Sequence, residues 1–136
     1  MQERIYRATK EKQWMKVRNL QKLLAKSTVN KLVAIRRVTQ NNKGKSTPGV
    51  DNEVYLTNAS REALFYEPFD YKSFKPKPIK RVFIPKSNNE KRPLGIPTIK
   101  DRIMQTIVKN ALEPEWEARF EATSFGFRPG NRQWMQ

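Results

Sequence analysis

The stretch "IPKSNNEKRPLGIPTIKDR", residues 84–102, sets seven charged side chains, three prolines and a glycine around two short apolar runs. Five of the charges are cations: Lys86, Lys91, Arg92, Lys100 and Arg102. Lys86 and Arg92 lie on either side of a short turn, so both can point at one anion. Cations beside a phosphate stabilise its charge, and an arginine can grip two oxygens at once. The alternative is that cations on a hairpin serve solubility alone. By themselves these residues favour the second reading, solvated cations on a hairpin.

The elements around that stretch must position it. "IKRVFIPK" reads as a strand from its β-branched and aromatic content, with Ile79, Arg81, Phe83 and Pro85 on one face and Lys80, Val82, Ile84 and Lys86 on the other. "SNNE" is a turn in which Asn89 tolerates a left-handed backbone. "KRPLGIP" is the return strand, and Pro93 and Pro97 suit an edge or a strand end. A long helix follows from Thr98, its cap, with Ile99, Ile103, Met104, Ile107, Val108, Ala111 and Leu112 as an apolar stripe. Pro114 is expected to begin a new helix.

Upstream, residues 1–45 read as helical. Trp14, Val17, Leu20 (or Leu24) and Leu23 recur at helical spacing. Ser27 or Thr28 can cap a second helix bearing Val29, Leu32, Val33 and Ile35. "NNKGKSTPGVDNE" breaks the periodicity, and its Lys43 and Lys45 flank Gly44, where backbone can approach a phosphate. Residues 46–76 read as this loop's continuation, a short helix at about 59–66, and a proline-punctuated extended approach, "FKPKPIK". The fold class is therefore α+β. Residues 77–130 hold the hairpin and its packing helices, and 131–136 form a separate tail.

Composition narrows the chemistry. The 136 residues make one modest domain, with 28 Lys+Arg against 13 Asp+Glu and a net charge of +15. A sequence pI near 10.3 goes with a field that attracts polyanions, nucleic acid first among them. Mean hydropathy is −0.84, and no apolar run in the sequence approaches the roughly 18 residues of a membrane-spanning helix. No lipid anchor motif or secretory signal is present, so no membrane partner is expected. There is no cysteine and no histidine. Disulfides, thiolate zinc sites and histidine-dependent nucleophilic catalysis are thereby excluded.

"TPGVD", "KRVFIPK", "KRPLGIPTIKDRIMQ" and "ALEPEWEARFEATSFGFRPG" occur in the order seen at the start of reverse transcriptases encoded by group II introns, the intron maturases. The helical "VRNLQKLLAKS…LVAIRRVTQNNKGK" before them resembles that family's N-terminal extension. The resemblance covers about residues 4–130. It implies an N-terminal extension followed by a fingers-type hairpin packed on helices, without palm or thumb. It also implies that Lys86 and Arg92 are the two residues that grip a nucleotide triphosphate. Nothing here resembles the paired aspartates of the family's "YADD" motif. The chain is therefore not expected to polymerise alone, has no catalytic or metal-ligating residue assigned, and would meet Mg2+ only with a palm domain. Three departures stand out: Asn89 and Asn52 where glycine is common, and "RPGNRQWMQ" in place of the usual run after "RPG". The tail suggests a remnant or split piece of a maturase.

From the same resemblance, Lys22, Arg36, Arg37, Lys43, Lys45, Lys80, Arg81 and Arg128 become candidate RNA contacts, since phosphate contacts position RNA without reading sequence. Two functions follow. One is the RNA-binding fingers fragment of a maturase, partnered by intron RNA and a palm–thumb polypeptide. The other is a basic structural subunit of a larger ribonucleoprotein such as a ribosome. Either places the protein in the bacterial cytoplasm or an organelle.

Overall fold

The computed structural model describes residues 1–123 and divides the chain into two compact units, one made of Met1–Asn30 and the chain from Ile107, the other of Lys31–Thr106. Its elements are α1 (Gln2–Lys10), α2 (Trp14–Ala25), α3 (Thr28–Arg36), α4 (Asn58–Tyr66), β1 (Lys80–Pro85), β2 (Lys91–Ile96) and α5 (Ile99–Thr123). A π-helical turn, Arg37–Asn41, extends α3, and a 3-10 turn follows at Lys43–Ser46. The α+β class and the order of helices, hairpin and long helix are as the sequence indicates. α3 and α5 change unit part-way along.

In the first unit, Ile5 and Ala8 of α1, Val17, Leu20 and Leu24 of α2, and Ala111 of α5 form one buried cluster. The buried stripe of α2 is thus 17, 20 and 24; Leu23, expected within it, is exposed, as is Leu112 of α5. Helical spacing offers both leucines, three and four residues after Leu20, and packing takes Leu24. Likewise α3 buries Asn30, Ala34 and Ile35 and leaves Val29, Leu32 and Val33 outward. α1 ends with Lys12 at a φ of 57°, its N–H bonded to Thr9 O and that of Gln13 to Ala8 O. This closing pair is the one that usually recruits glycine.

Pro114 does not begin a helix: α5 runs continuously through it, and the ring is buried. A proline inside a helix removes the N–H that the carbonyl four residues back would accept. That carbonyl belongs to Asn110, and the Gln2 side chain donates to it at 2.9 Å. The side chain of α1 supplies the missing donor. Next to it, Asn110 Nδ2 donates to Asn30 Oδ1 at 2.8 Å, while Asn30 Nδ2 donates to Leu24 O and Ile107 O. Both asparagines are buried, so the network satisfies polar groups that would each otherwise cost about 1–3 kcal/mol.

In the second unit the start of α5 organises the chain. Thr98 Oγ1 accepts the Asp101 N–H at 3.1 Å, capping the helix as expected. Asp101 is more than a charge favoured by the helix dipole. It is buried and accepts the Lys77 N–H at 3.1 Å, pinning the proline-rich approach to β1. Gly49 lies against the Thr98 backbone so closely that a Cβ there would stand 2.7 Å from Thr98 N and Cα. The "TPGVD" loop and the "IPTIKDR" helix start are therefore one structural knot. α4 begins in a capping box, with Thr57 and Ser60 each accepting the other's backbone N–H.

Candidate phosphate and nucleic-acid interface

β1 and β2 pair antiparallel, with Lys80 opposite Ile96, Val82 opposite Leu94, Phe83 opposite Pro93, Ile84 opposite Arg92 and Pro85 opposite Lys91. The ladder closes where the Lys86 N–H donates to Glu90 O at 2.6 Å. Hydrogen-bonded pairs alternate with open ones. Counting back from 86 and 90, both Pro85 and Pro93 fall at open positions, where no N–H is needed. Asn89 turns the chain at a φ of 65°, and Asn52 has 56° in the "GVDN" turn. Both asparagines adopt the left-handed backbone for which glycine is the default residue.

Opposed residues in such a ladder share a face. One face therefore carries Lys80, Val82, Ile84, Lys86, Glu90, Arg92, Leu94 and Ile96; the other carries Arg81, Phe83, Pro85, Lys91, Pro93 and Gly95. Lys86 and Arg92 are diagonal neighbours on the first face, about 7–8 Å apart in ladder geometry. They line one concavity of 420 Å³ together with Ile84, Pro85, Ser87 and Asn88. Both are exposed, and neither forms a salt bridge among the described residues. Chemically this is an open cradle with one bidentate and one flexible cation, suited to a phosphate group.

The other sequence-derived candidates are distributed. Lys80 shares the Lys86 face and is half-buried at the foot of the hairpin; Arg81 points to the opposite face. Lys43, exposed, and Lys45, half-buried, sit in the 3-10 turn. Arg36 and Arg37 are exposed where α3 passes into its π-helical turn. Lys22 is exposed in the last turn of α2, in the first unit. Arg128 lies outside the described residues.

Arg102 is a positioning residue that sequence pattern presents only as one more cation. Its Nε donates to Pro97 O at 3.0 Å, one terminal nitrogen to Gly44 O at 2.9 Å and the other to Thr47 O at 2.5 Å. One guanidinium thus ties the end of the hairpin to the lysine-bearing turn. Burial lowers its pKa from the ordinary arginine value, with Asp51 opposing. An arginine three residues past a helix's first residue, beside a carbonyl-rich loop, was the only signal of that role. Lys31 is likewise committed: its Nζ donates to Glu67 O and sits 5.5 and 5.1 Å from the ring centres of Phe65 and Phe69. Burial lowers its pKa, partly offset by Glu67.

Residues 1–67 match the family described as the N-terminal domain of reverse transcriptase. Over 102 residues the chain is 41% identical to protein YkfC of Escherichia coli (strain K12), covering 72% of this chain and 27% of that protein. It is 38% identical over 90 residues to the group II intron-encoded protein LtrA of Lactococcus lactis subsp. cremoris, covering 65% of this chain and 15% of that one. With maturase-like protein 1 of Euglena gracilis it shares 37% over 110 residues, 80% of this chain and 24% of the other. The chain thus spans little more than a quarter of these relatives at most. It belongs to the group II intron reverse transcriptase and maturase family, and its residues 1–67 are the part that matches the reverse transcriptase N-terminal domain. Among the described residues no helix is long and apolar enough to cross a membrane.

Proposed function

We propose that this chain is an RNA-binding fingers module of a group II intron maturase and that Lys86 and Arg92 hold phosphate. Where a palm and thumb are supplied, with Mg2+, that phosphate is the triphosphate of an incoming nucleotide. Where they are not, it is RNA backbone. The observation that carries this reading is the convergence of the two cations on one hairpin face, lining one concavity. Lys80 on that face, Lys43 and Lys45 in the turn tied by Arg102, and Arg36, Arg37, Arg81 and Lys22 add sequence-independent contacts. The relatives' naming as intron-encoded and maturase-like proteins fits intron RNA as the partner, and a bacterial cytoplasm or an organelle as the setting.

The test is the affinity of the full chain for a structured group II intron RNA across a salt series, compared with a Lys86→Gln, Arg92→Gln double variant. Removing a cation that neutralises one phosphate should flatten the slope of log affinity against log salt by about 0.7–0.9. Both side chains are exposed, so the thermal melt should not move. An unchanged affinity and slope would remove the two residues from the interface. Copurification from native extract with intron RNA and a palm-bearing polypeptide supports the maturase reading. Copurification with stable ribosomal RNA would point instead to a recruited structural subunit.

A further inference from the structure

The hairpin has a second face that the phosphate cradle does not use. Phe83 stands on it with 61% of its surface exposed, and Ile79, just before β1, is exposed to the same degree. Phe83 faces Pro93 at an open position of the ladder, the kind of pair in which side chains come closest. Gly95 lies diagonal to it and has no side chain to stand over the ring. Ile79 fills that notch: a Cβ on Gly95 would meet Ile79 Cγ2 at 2.7 Å. The result is a low apolar platform of Ile79, Phe83, Pro85 and Pro93.

Charge decides what such a platform suits. Arg81, two residues before Phe83, and Lys91, on the other diagonal, flank the ring on the same face. The hairpin's one carboxylate, Glu90, belongs to the opposite face. A protein partner would meet two desolvated cations with no carboxylate between them. A polyanion with a flat apolar group would be complemented throughout. A two-stranded ribbon exposed on both faces is marginally stable in water, so an occupant here also stabilises the hairpin.

We infer that this second face binds single-stranded RNA, Phe83 stacking an unpaired base while Arg81 and Lys91 take its flanking phosphates. Stacking needs an unpaired base, because a base in a duplex has both its faces covered. The inference rests on the RNA-binding reading, but it assigns a different face, a different residue and a different chemistry from the Lys86–Arg92 cradle.

The experiment titrates the full chain with a fluorescein-labelled oligouridine and with a blunt RNA duplex of equal length, each across a salt series. The proteins are wild type, Phe83→Leu, Phe83→Trp and Lys91→Gln. Phe83→Leu should weaken oligouridine binding about 5- to 150-fold, the range for loss of one stacked base, without changing the salt slope. Duplex affinity should be unchanged, and Phe83→Trp should restore single-strand binding. Lys91→Gln should flatten the single-strand slope by about 0.7. Because leucine remains apolar and strand-compatible, circular dichroism should show the same melt for Phe83→Leu as for wild type.

If wild type binds oligouridine and Phe83→Leu binds it equally well, the stacking site is overturned and the RNA-binding reading stands. If wild type binds neither RNA, that reading itself fails. A Phe83→Leu variant that keeps oligouridine affinity but loses a palm–thumb polypeptide would make the face a protein interface and overturn the proposal.

Discussion

The two halves of α5 are held by different physics. Its first turns anchor segments with little regular structure: the 43–47 turn through Arg102, the "TPGVD" loop through Gly49, and the approach to β1 through Asp101. Loops bring backbone carbonyls and N–H groups rather than apolar stripes, so the helix answers with a cap, a carboxylate and a guanidinium. The second half meets helices, which bring Ile5, Ala8, Val17, Leu20 and Leu24. There the polar work includes the Gln2–Asn110–Asn30 network, the Gln21–Glu115 hydrogen bond at 2.8 Å and ion pairs such as Lys10–Glu121 at 3.0 Å.

Their outward faces differ too. The first half leads back to a hairpin bearing Lys86, Lys91 and Arg92. The second exposes Leu112, Trp116 and Phe120, with the Trp116 and Phe120 rings stacked at 5.9 Å. That stretch also carries Glu113, Glu115, Glu117 and Glu121. In a chain of net charge +15 this is the segment least suited to RNA. Exposed apolar surface thus lies beside cations on the hairpin and among carboxylates on this stretch of α5.

The contrast between the halves is tested most severely at the helix start. Gly49→Ala forces a Cβ into Thr98 backbone, which cannot rotate away, and should cost about 1–3 kcal/mol or more in urea unfolding. A smaller effect is expected in the second half. Gln2→Ala leaves the Asn110 carbonyl without its donor, but the bond is only part-buried, so the loss should be about 0.5–1.5 kcal/mol in the same assay. In a Pro114→Ala background the helix regains its own N–H, so Gln2→Ala should cost clearly less. Additive losses would show that Gln2 acts otherwise. The smallest effect concerns the outward faces: Trp116→Ala should leave RNA affinity and its salt slope unchanged. A weakened affinity would bring the acidic half into the RNA interface.

Much of the fold and of the hairpin site was legible in the sequence. The hairpin, its turn and the share of faces along β1 follow from β-branched residues, prolines and period-two alternation, because those depend on neighbours close in sequence. The caps at Ser27 and Thr98 are legible for the same reason: Ser27 Oγ accepts the Asn30 N–H at 3.3 Å. Reading Leu23 and Leu112 as buried failed because a helix's apolar positions span more than one face, and only the packing partner selects among them. Pro114 misled because its local rule, no N–H and hence a helix boundary, holds unless a distant donor intervenes.

Composition and short-range spacing were enough for the α+β order, the strong positive charge and the placing of Lys86 and Arg92 across a short turn, while the resemblance of the chain's ordered motifs pointed to the family. These properties survive without a fold, so the bare chain carries them. Only folding shows which cations are committed elsewhere, as Lys31 and Arg102 are, and that Gln2, 108 residues from Asn110, gives that carbonyl a donor where α5 passes through Pro114. Only folding leaves Phe83 on the surface rather than in the core. Each of these depends on groups far apart in the chain meeting at hydrogen-bonding or van der Waals distance, and no local pattern encodes such a meeting.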